Sequence, residues 1–326
     1  MSRFLLAPAI VAVSGLSFTF NDRKHVAHCD KHIMNNAFVF IKPHANTQNT
    51  QELVAKKFKD TNIKVLKTGT LTGEQIDKDK LIDQHYYAIA SKATLMKPLE
   101  MPVPVDKFKE AFGISWEDAN SKNLVFNALD ACNQLGVDAM GLDKLWAKAK
   151  KVKFGGGFYC GLVEAPGKTP IYVFNGFFME MRSKFVTPGT SITYYVVEFC
   201  PNNLSWGDFR GKVLGPTDPK EAPVGSLRAS VLSDWQNLGL KDVPNVGDNG
   251  IHASASPFEG LAERMNWLHA DITTDSFGKE LIAAGINVDT IKKWSIDPQV
   301  KGKSLFDQLE DLDASECIKK AVELAK

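Results

Sequence analysis

The sequence predicts an α+β protein: an antiparallel split βαβ sheet with helices packed on one face, a long insertion and a helical tail. Three observations predict it. Short runs rich in β-branched and aromatic residues stand at 37–41, 63–71 and 191–199. Segments with apolar residues at helical spacing follow the first and the last of them, so two strand–helix–strand units are legible. Between the units, from about Lys92 to Asn175, the composition changes, and Pro98, Pro102 and Pro104 mark a linker.

Each element has a local reason. The run Ala37-Phe-Val-Phe-Ile ends at Lys42-Pro43 and reads as a buried strand. Thr47 can cap a helix reaching about Asp60, with Leu53, Val54 and Phe58 on one face. A second strand covers 63–71, and Thr72-Gly73 opens one helix carrying Leu81, Ile82, His85, Tyr86 and Ile89. The insertion reads as mostly helical, with a hairpin near 158–174. The basic run 144–153 reads as a solvated helix face, and Gly155-Gly156-Gly157 as a hinge, because no Lys-Ser/Thr follows it. Helices are expected over 177–185, 205–214 and 226–235, and another opens at Ser256-Pro257. Gly250-Ile-His252 is short enough for a sheet edge, and 269–326 reads as a helical tail.

Composition narrows the function classes. The chain has 326 residues, enough for about two domains at roughly 150 residues each. Thirty-nine basic against 38 acidic residues give a net charge of +1, so no global field draws nucleic acid or an anionic membrane. Five scattered cysteines without a C-x-x-C argue against a disulfide scaffold or a Cys-rich zinc site, and a reducing compartment is the expectation. Residues 4–20 are apolar but broken by Pro8 and Gly15; they read as a targeting or anchoring segment or as a packed arm, and as the one place for membrane contact. The cytosol or a mitochondrion is favoured over secretion. His25, His28, Cys29, Asp30 and His32 have metal-ligand chemistry, but a solvated linker is the expectation.

The chemistry concentrates between Phe209 and Trp267. Gly215-Pro-Thr217-Asp-Pro219 is followed by Gly225-Ser-Leu-Arg228, then Asn249-Gly-Ile-His252-Ala-Ser254, with Glu263 in the next helix. Upstream stand Lys42-Pro43, His85-Tyr86 and Phe177-Phe178. Taken in this order, these motifs resemble the nucleoside diphosphate kinase family over roughly residues 36–95 and 176–268. The resemblance implies a ferredoxin-like βαββαβ core in two parts, 36–95 and 176–268, with an N-terminal extension 1–35, an insertion 96–175 and a C-terminal extension 269–326.

The resemblance also implies roles. His252 would take the γ-phosphate of a nucleoside triphosphate such as ATP and pass it to a diphosphate. Glu263 would fix its tautomer, helped by Ser254. Lys42, Arg228 and Thr217 would hold phosphate, and Lys42 and Asn249 the ribose. Tyr86 would touch the phosphate end or steady His252, and Phe178 would stack on the base. Mg²⁺ would ride on the nucleotide phosphates without protein ligands of its own. The physical logic is independent of the resemblance: phosphoryl transfer needs positioned positive charge and an in-line nucleophile, and neutral imidazole can be one near pH 7.

Four departures from the family pattern set up a second reading. Gly211 stands where the family has a second phosphate-binding Arg, so Arg210 or Lys212 would have to substitute. His44, Asp248 and Ala255 replace Asp, Arg and Asp. Segment 231–248 is longer, and the insertion joins near the expected base site. The alternative is a weak or inactive member serving as a structural subunit of a larger assembly or as a nucleotide sensor. A homo-oligomer is expected if the insertions leave its surfaces free.

Overall fold

The computed structural model describes residues 33–155 and 157–326. The apolar segment 4–20 and the histidine-rich stretch 25–32 lie outside the described residues. In chain order the elements are β1 (Asn35–Ile41), α1 (Gln48–Asp60), β2 (Lys64–Thr72), α2 (Gly73–Lys78), α3 (Leu81–His85) and α4 (Tyr87–Ala90). Next come α5 (Val105–Phe112), α6 (Trp116–Ser121), β3 (Val125–Asn127), α7 (Ala128–Leu135), α8 (Ala139–Lys148), β4 (Lys150–Gly155), β5 (Phe158–Val163) and β6 (Ile171–Phe174). Then follow α9 (Phe178–Val186), β7 (Ser191–Phe199), α10 (Trp206–Asp208), a π-helical turn (Phe209–Leu214), α11 (Leu227–Ser233), β8 (Ile251–Ala253) and α12 (Pro257–Leu268). The tail holds α13 (Ser276–Ala283), α14 (Val288–Trp294), β9 (Gln299–Val300), β10 (Lys303–Ser304), α15 (Leu305–Leu309) and α16 (Ala314–Ala325).

The main sheet has the order β2-β7-β1-β8, with every neighbouring pair antiparallel. All seven residues of β1 are buried. Ala37, Val39 and Ile41 pack with Val54 and Phe58 of α1, Phe209 and Val213 of the π turn, and Val231 of α11. Phe38 and Phe40 face the other way, onto Ile76, Leu81, Ile82, Phe185 and Trp267. Helices therefore cover both faces of this sheet, not one as expected. An antiparallel strand covered on both faces loses the apolar–polar alternation, and the continuous run of β1 is that pattern. The edge strand β2 is mostly exposed and carries Lys64 and Lys67, charges that discourage further pairing.

The helix expected after Thr72 is broken into α2, α3 and α4. Thr72 caps its start through a capping box with Gln75, but Lys80 takes a left-handed backbone (φ 55°) and Tyr86 leaves helical geometry. The break turns His85 into the core beside Trp267.

The insertion has more residues in helices than in strands, but it is not helical throughout. It carries a second four-stranded sheet, β3-β6-β5-β4, with β3 parallel to β6 and the rest antiparallel. The hairpin at β5 and β6 was legible; β3 is only three residues long, and β4 hides among lysines in the run read as a helix face. One face of this sheet buries Phe108, Phe158, Tyr172 and Phe174. The other buries Leu142, Trp146, Val163 and Val173 together with Phe178 and Met179 of α9. Gly161 is required where the Trp146 ring crosses β5, since a Cβ there would lie 2.7 Å from the indole.

The tail packs on α12 through Phe258 and Leu261, around Phe277, Leu281, Ile291, Leu305 and Cys317. Two polar ties fix it to the main sheet. Arg264 of α12 pairs with Asp275 at 2.8 and 2.9 Å and donates to the Asn36 carbonyl at 3.1 Å. Asp313 accepts from the Asn35 side chain and the Trp206 amide, both at 2.7 Å. Arg264 and Asp275 are almost fully buried, at 4% and 8% exposure, so removing one strands the other. Asp275→Ala is expected to destabilise the fold by about 3–5 kcal/mol, read as a lower urea midpoint. Cys132, Cys160 and Cys317 are buried free thiols. No helix among the described residues is long and apolar enough to cross a membrane.

Candidate functional site

The register of the main sheet fixes the central residue. β8 pairs with β1 so that His252 lies opposite Phe40, and the Lys42 amide extends the ladder by donating to the Gly250 carbonyl at 2.8 Å. Opposed residues share a face, and the His252 ring stacks on Phe40 at 4.6 Å and 26°. The chain then turns through Ser254 and enters α12, capped by Ser256 with Pro257 in the first turn. Two turns later Glu263 arrives beneath the histidine.

There Glu263 Oε1 lies 2.5 Å from His252 Nε2, and Oε2 lies 2.5 Å from Ser254 Oγ. Ser254 Oγ in turn accepts from the Phe38 amide at 2.9 Å, which locks it to β1. The bond at Nε2 leaves Nδ1 as the ring nitrogen with no hydrogen-bond partner among the described residues. His85 meets His252 edge-on at 4.6 Å and accepts from the Trp267 indole N–H at 3.3 Å.

His252 lines a cleft of about 620 Å³ whose other walls include Lys42, Arg228 and Arg210. Burial, then the charges of Lys42, Arg228 and Arg210, hold the His252 pKa well below the ordinary imidazole value. Burial pushes His85 down to about 3, with His252 adding to the shift. The same burial pushes Glu263 up to about 7. Lys42 is lowered to about 8 by burial and then by Arg228, while its ammonium donates to the Gly247 carbonyl at 2.9 Å.

Arg228 is held without a carboxylate. Its guanidinium donates to the Gly215 carbonyl at 2.7 Å and twice to the Ile251 carbonyl, at 2.9 and 3.1 Å. Burial, then Arg210, lowers its pKa to about 10. The result is a fixed cation facing the cleft with its charge unneutralised. Tyr86, Thr217 and Asn249 also line the cleft. Burial raises the Tyr86 hydroxyl to about 12. Asn249 donates to the Thr217 carbonyl at 3.0 Å, while its buried Oδ1 has no partner among the described residues.

Two expected residues fall elsewhere. Phe178 is fully buried among the insertion's core residues, so it offers no face to a ligand; Phe177 and Met181 reach the side of the cleft instead. Lys212 is 72% exposed, pairs with Asp208 and does not line the cleft. Lys212 follows Arg210 by two residues, which at about 100° each turns its side chain to nearly the opposite side of the helical turn, so Lys212 points outward while Arg210 faces in. Gly211 does line the cleft. Asp248 pairs with Lys184 at 2.9 Å and lies 3.9 Å from His44, outside the cleft's walls.

Sequence reasoning missed three acids in the cleft wall: Glu259, Glu310 and Asp311. Glu259 lies one helical turn before Glu263, a spacing that was open to inspection. It accepts from the Ala255 amide at 3.1 Å, and burial, then the Glu263 charge, raises it to about 8. Glu310 and Asp311 come from the tail, and both accept from Arg210 at 2.7 Å. No local signal marks them, because the tail's path alone brings them there.

His85, His252 and Glu263 bring three ligand-type atoms within 4.8 Å of one another. The lone pairs a metal needs are already engaged: His85 Nδ1 by Trp267, and the two Glu263 oxygens by His252 and Ser254.

No family model matches the chain. No curated protein matches it either. Among solved structures it is similar to a nucleoside diphosphate kinase from Encephalitozoon cuniculi, at 16% identity over 76% of this chain and 99% of that one, with a TM-score of 0.36. An NDP kinase from Pyrobaculum aerophilum matches at 16% identity over 72% and 95%, with a TM-score of 0.35. The Aquifex aeolicus nucleoside diphosphate kinase matches at 14% over 72% and 94%, also at 0.35. At that depth of superposition the chemistry rests on the site's own geometry.

Proposed function

We propose that the chain is a nucleoside diphosphate kinase-like phosphotransferase that moves the γ-phosphate of a nucleoside triphosphate to a diphosphate through phospho-His252. One observation carries the reading: His252 is tied at Nε2 to Glu263, which leaves Nδ1 unengaged among the described residues, and the residue lines a cleft walled by Lys42, Arg228 and Arg210. The sheet order β2-β7-β1-β8 is also the order of a ferredoxin-like βαββαβ unit whose third and fourth strands are β7 and β8.

In the first half-reaction the Nδ1 lone pair attacks the γ-phosphorus and the bond to the β-phosphate oxygen breaks, releasing the diphosphate. The ring keeps its proton at Nε2, where the Glu263 carboxylate stabilises the positive charge that develops. A second diphosphate reverses the step. Lys42, Arg228 and Arg210 offset phosphate charge, and the Thr217 hydroxyl donates to phosphate. The Asn249 Oδ1, buried without a partner, fits a ribose hydroxyl donor, with Lys42 beside it. Mg²⁺ enters with the triphosphate as part of the substrate and neutralises its β and γ oxygens. The kinetic test is transfer from ATP to a different nucleoside diphosphate. Parallel double-reciprocal lines are expected; intersecting lines would point to a ternary complex and against phospho-His252.

One observation favours the second reading, a nucleotide-sensing or structural role. Glu310 and Asp311 occupy Arg210, so part of the cleft's positive charge is already answered from within. These pairs are half-exposed, and each is worth no more than about 1 kcal/mol. Joint Glu310→Gln and Asp311→Asn substitution is therefore expected to lower the KM for the triphosphate by up to about fivefold, more at low salt. An unchanged KM would show that Arg210 is not shared with the substrate.

A further inference from the structure

A side chamber of about 320 Å³ opens off the cleft and shares Lys42, Tyr86, Met181 and Gly247 with it. Its size falls at the lower end of small-ligand sites, which span about 300–1,000 Å³. Phe177 and Met181 give it apolar walls, and the insertion holds Phe177 in place through Trp146 at 6.1 Å and Tyr159 at 5.9 Å. Three carboxylates line it. Glu180 and Asp248 are each answered by Lys184, at 3.4 and 2.9 Å. The third, Asp143, comes from α8 of the insertion, is partly buried, and has no hydrogen-bond or ion-pair partner among the described residues.

We propose that this chamber takes the nucleobase and that Asp143 selects guanine by its edge. The inference rests on the phosphotransferase reading only for where the phosphates lie. An ionised carboxylate is an acceptor with two oxygens. Guanine offers two adjacent donors, N1–H and the 2-amino group, which match those two oxygens as a parallel pair. Adenine and cytosine each place a ring-nitrogen lone pair next to their amino group, and that lone pair would face the carboxylate. Uracil and thymine flank one N–H with two carbonyls. Guanine alone satisfies the carboxylate without repulsion. The base would enter between Phe177, Met181 and the Gly247 backbone, where a planar ring meets apolar surface on the way to Asp143.

The test is calorimetric binding of GDP, IDP and ADP to the full chain, with the Asp143→Asn variant beside it. Hydrogen bonds to a charged group imply GDP binding tighter than ADP by about tenfold or more, with IDP, which lacks the 2-amino group, in between. In Asp143→Asn the GDP-to-ADP ratio should collapse. Equal GDP and ADP affinity in the unmodified chain, no measurable binding, or an unchanged ratio in the variant would overturn the assignment. The ladder across the three diphosphates needs no variant, so a folding defect in Asp143→Asn leaves the test intact. Phosphorylation of His252 by ATP is scored separately. A guanine preference that depends on Asp143 without any phospho-His252 would uphold the base site and defeat the phosphotransferase reading.

Discussion

Glu263→Gln should lower kcat/KM at neutral pH by on the order of 10²- to 10⁴-fold, the range expected when a reacting imidazole loses the group that sets its tautomer. Nδ1 can attack only if the ring proton sits on Nε2, and that requires Glu263 to be an accepting carboxylate. A protonated Glu263 would instead donate to Nε2, send the ring proton to Nδ1 and abolish the lone pair. The glutamine amide can impose the same wrong tautomer. Burial brings Glu263 to about 7 and holds His252 neutral, so the acid limb of the wild-type profile belongs to Glu263. Activity should rise with pH through about 7, then fall above about 8 as Lys42 gives up its proton. Glu263→Gln should lack the limb near 7. A variant with wild-type rate and an intact limb would remove Glu263 from the mechanism.

Arg228→Met should cost on the order of 10²- to 10³-fold in kcat, the usual loss when one preorganised donor at a developing charge is removed. Three bonds to backbone carbonyls fix this guanidinium without neutralising it, so its full charge is free to meet phosphate. Arg228→Lys should recover only part of the loss, because a single ammonium cannot bridge Gly215 and Ile251 and still present a fork to phosphate. Steady-state kinetics on both variants, with far-UV circular dichroism as the folding control, makes the comparison. Arg228→Lys as active as the unsubstituted protein would mean that the fork does nothing beyond charge, and Arg228→Lys no better than Arg228→Met would mean that charge alone does nothing.

Much of this site was legible because it is built locally. Asn249, His252, Ser254 and Glu263 sit on one strand, one turn and two turns of helix, so their spacing in sequence nearly fixes their spacing in space. The β1 run and the Thr47 cap were readable for the same reason. What was not legible depends on distant chain. Phe178 looked like a ligand-facing ring until the insertion's Trp146 and Leu142 supplied a core for it. Arg210 looked like a free cation until the tail brought Glu310 and Asp311 to it across about a hundred residues of sequence. The second helical layer over Phe38 and Phe40 and the lysine-rich strand β4 escaped because burial on both faces and exposed lysines erase the period-2 signal.

The central claim is that His252 is a nucleophile, and its most direct measurement is covalent. Incubation with γ-labelled ATP and Mg²⁺ should leave an acid-labile, base-stable phosphate that peptide mapping places on His252, and addition of a nucleoside diphosphate should discharge it. A folded protein that binds ADP yet takes no label at His252 would contradict the account.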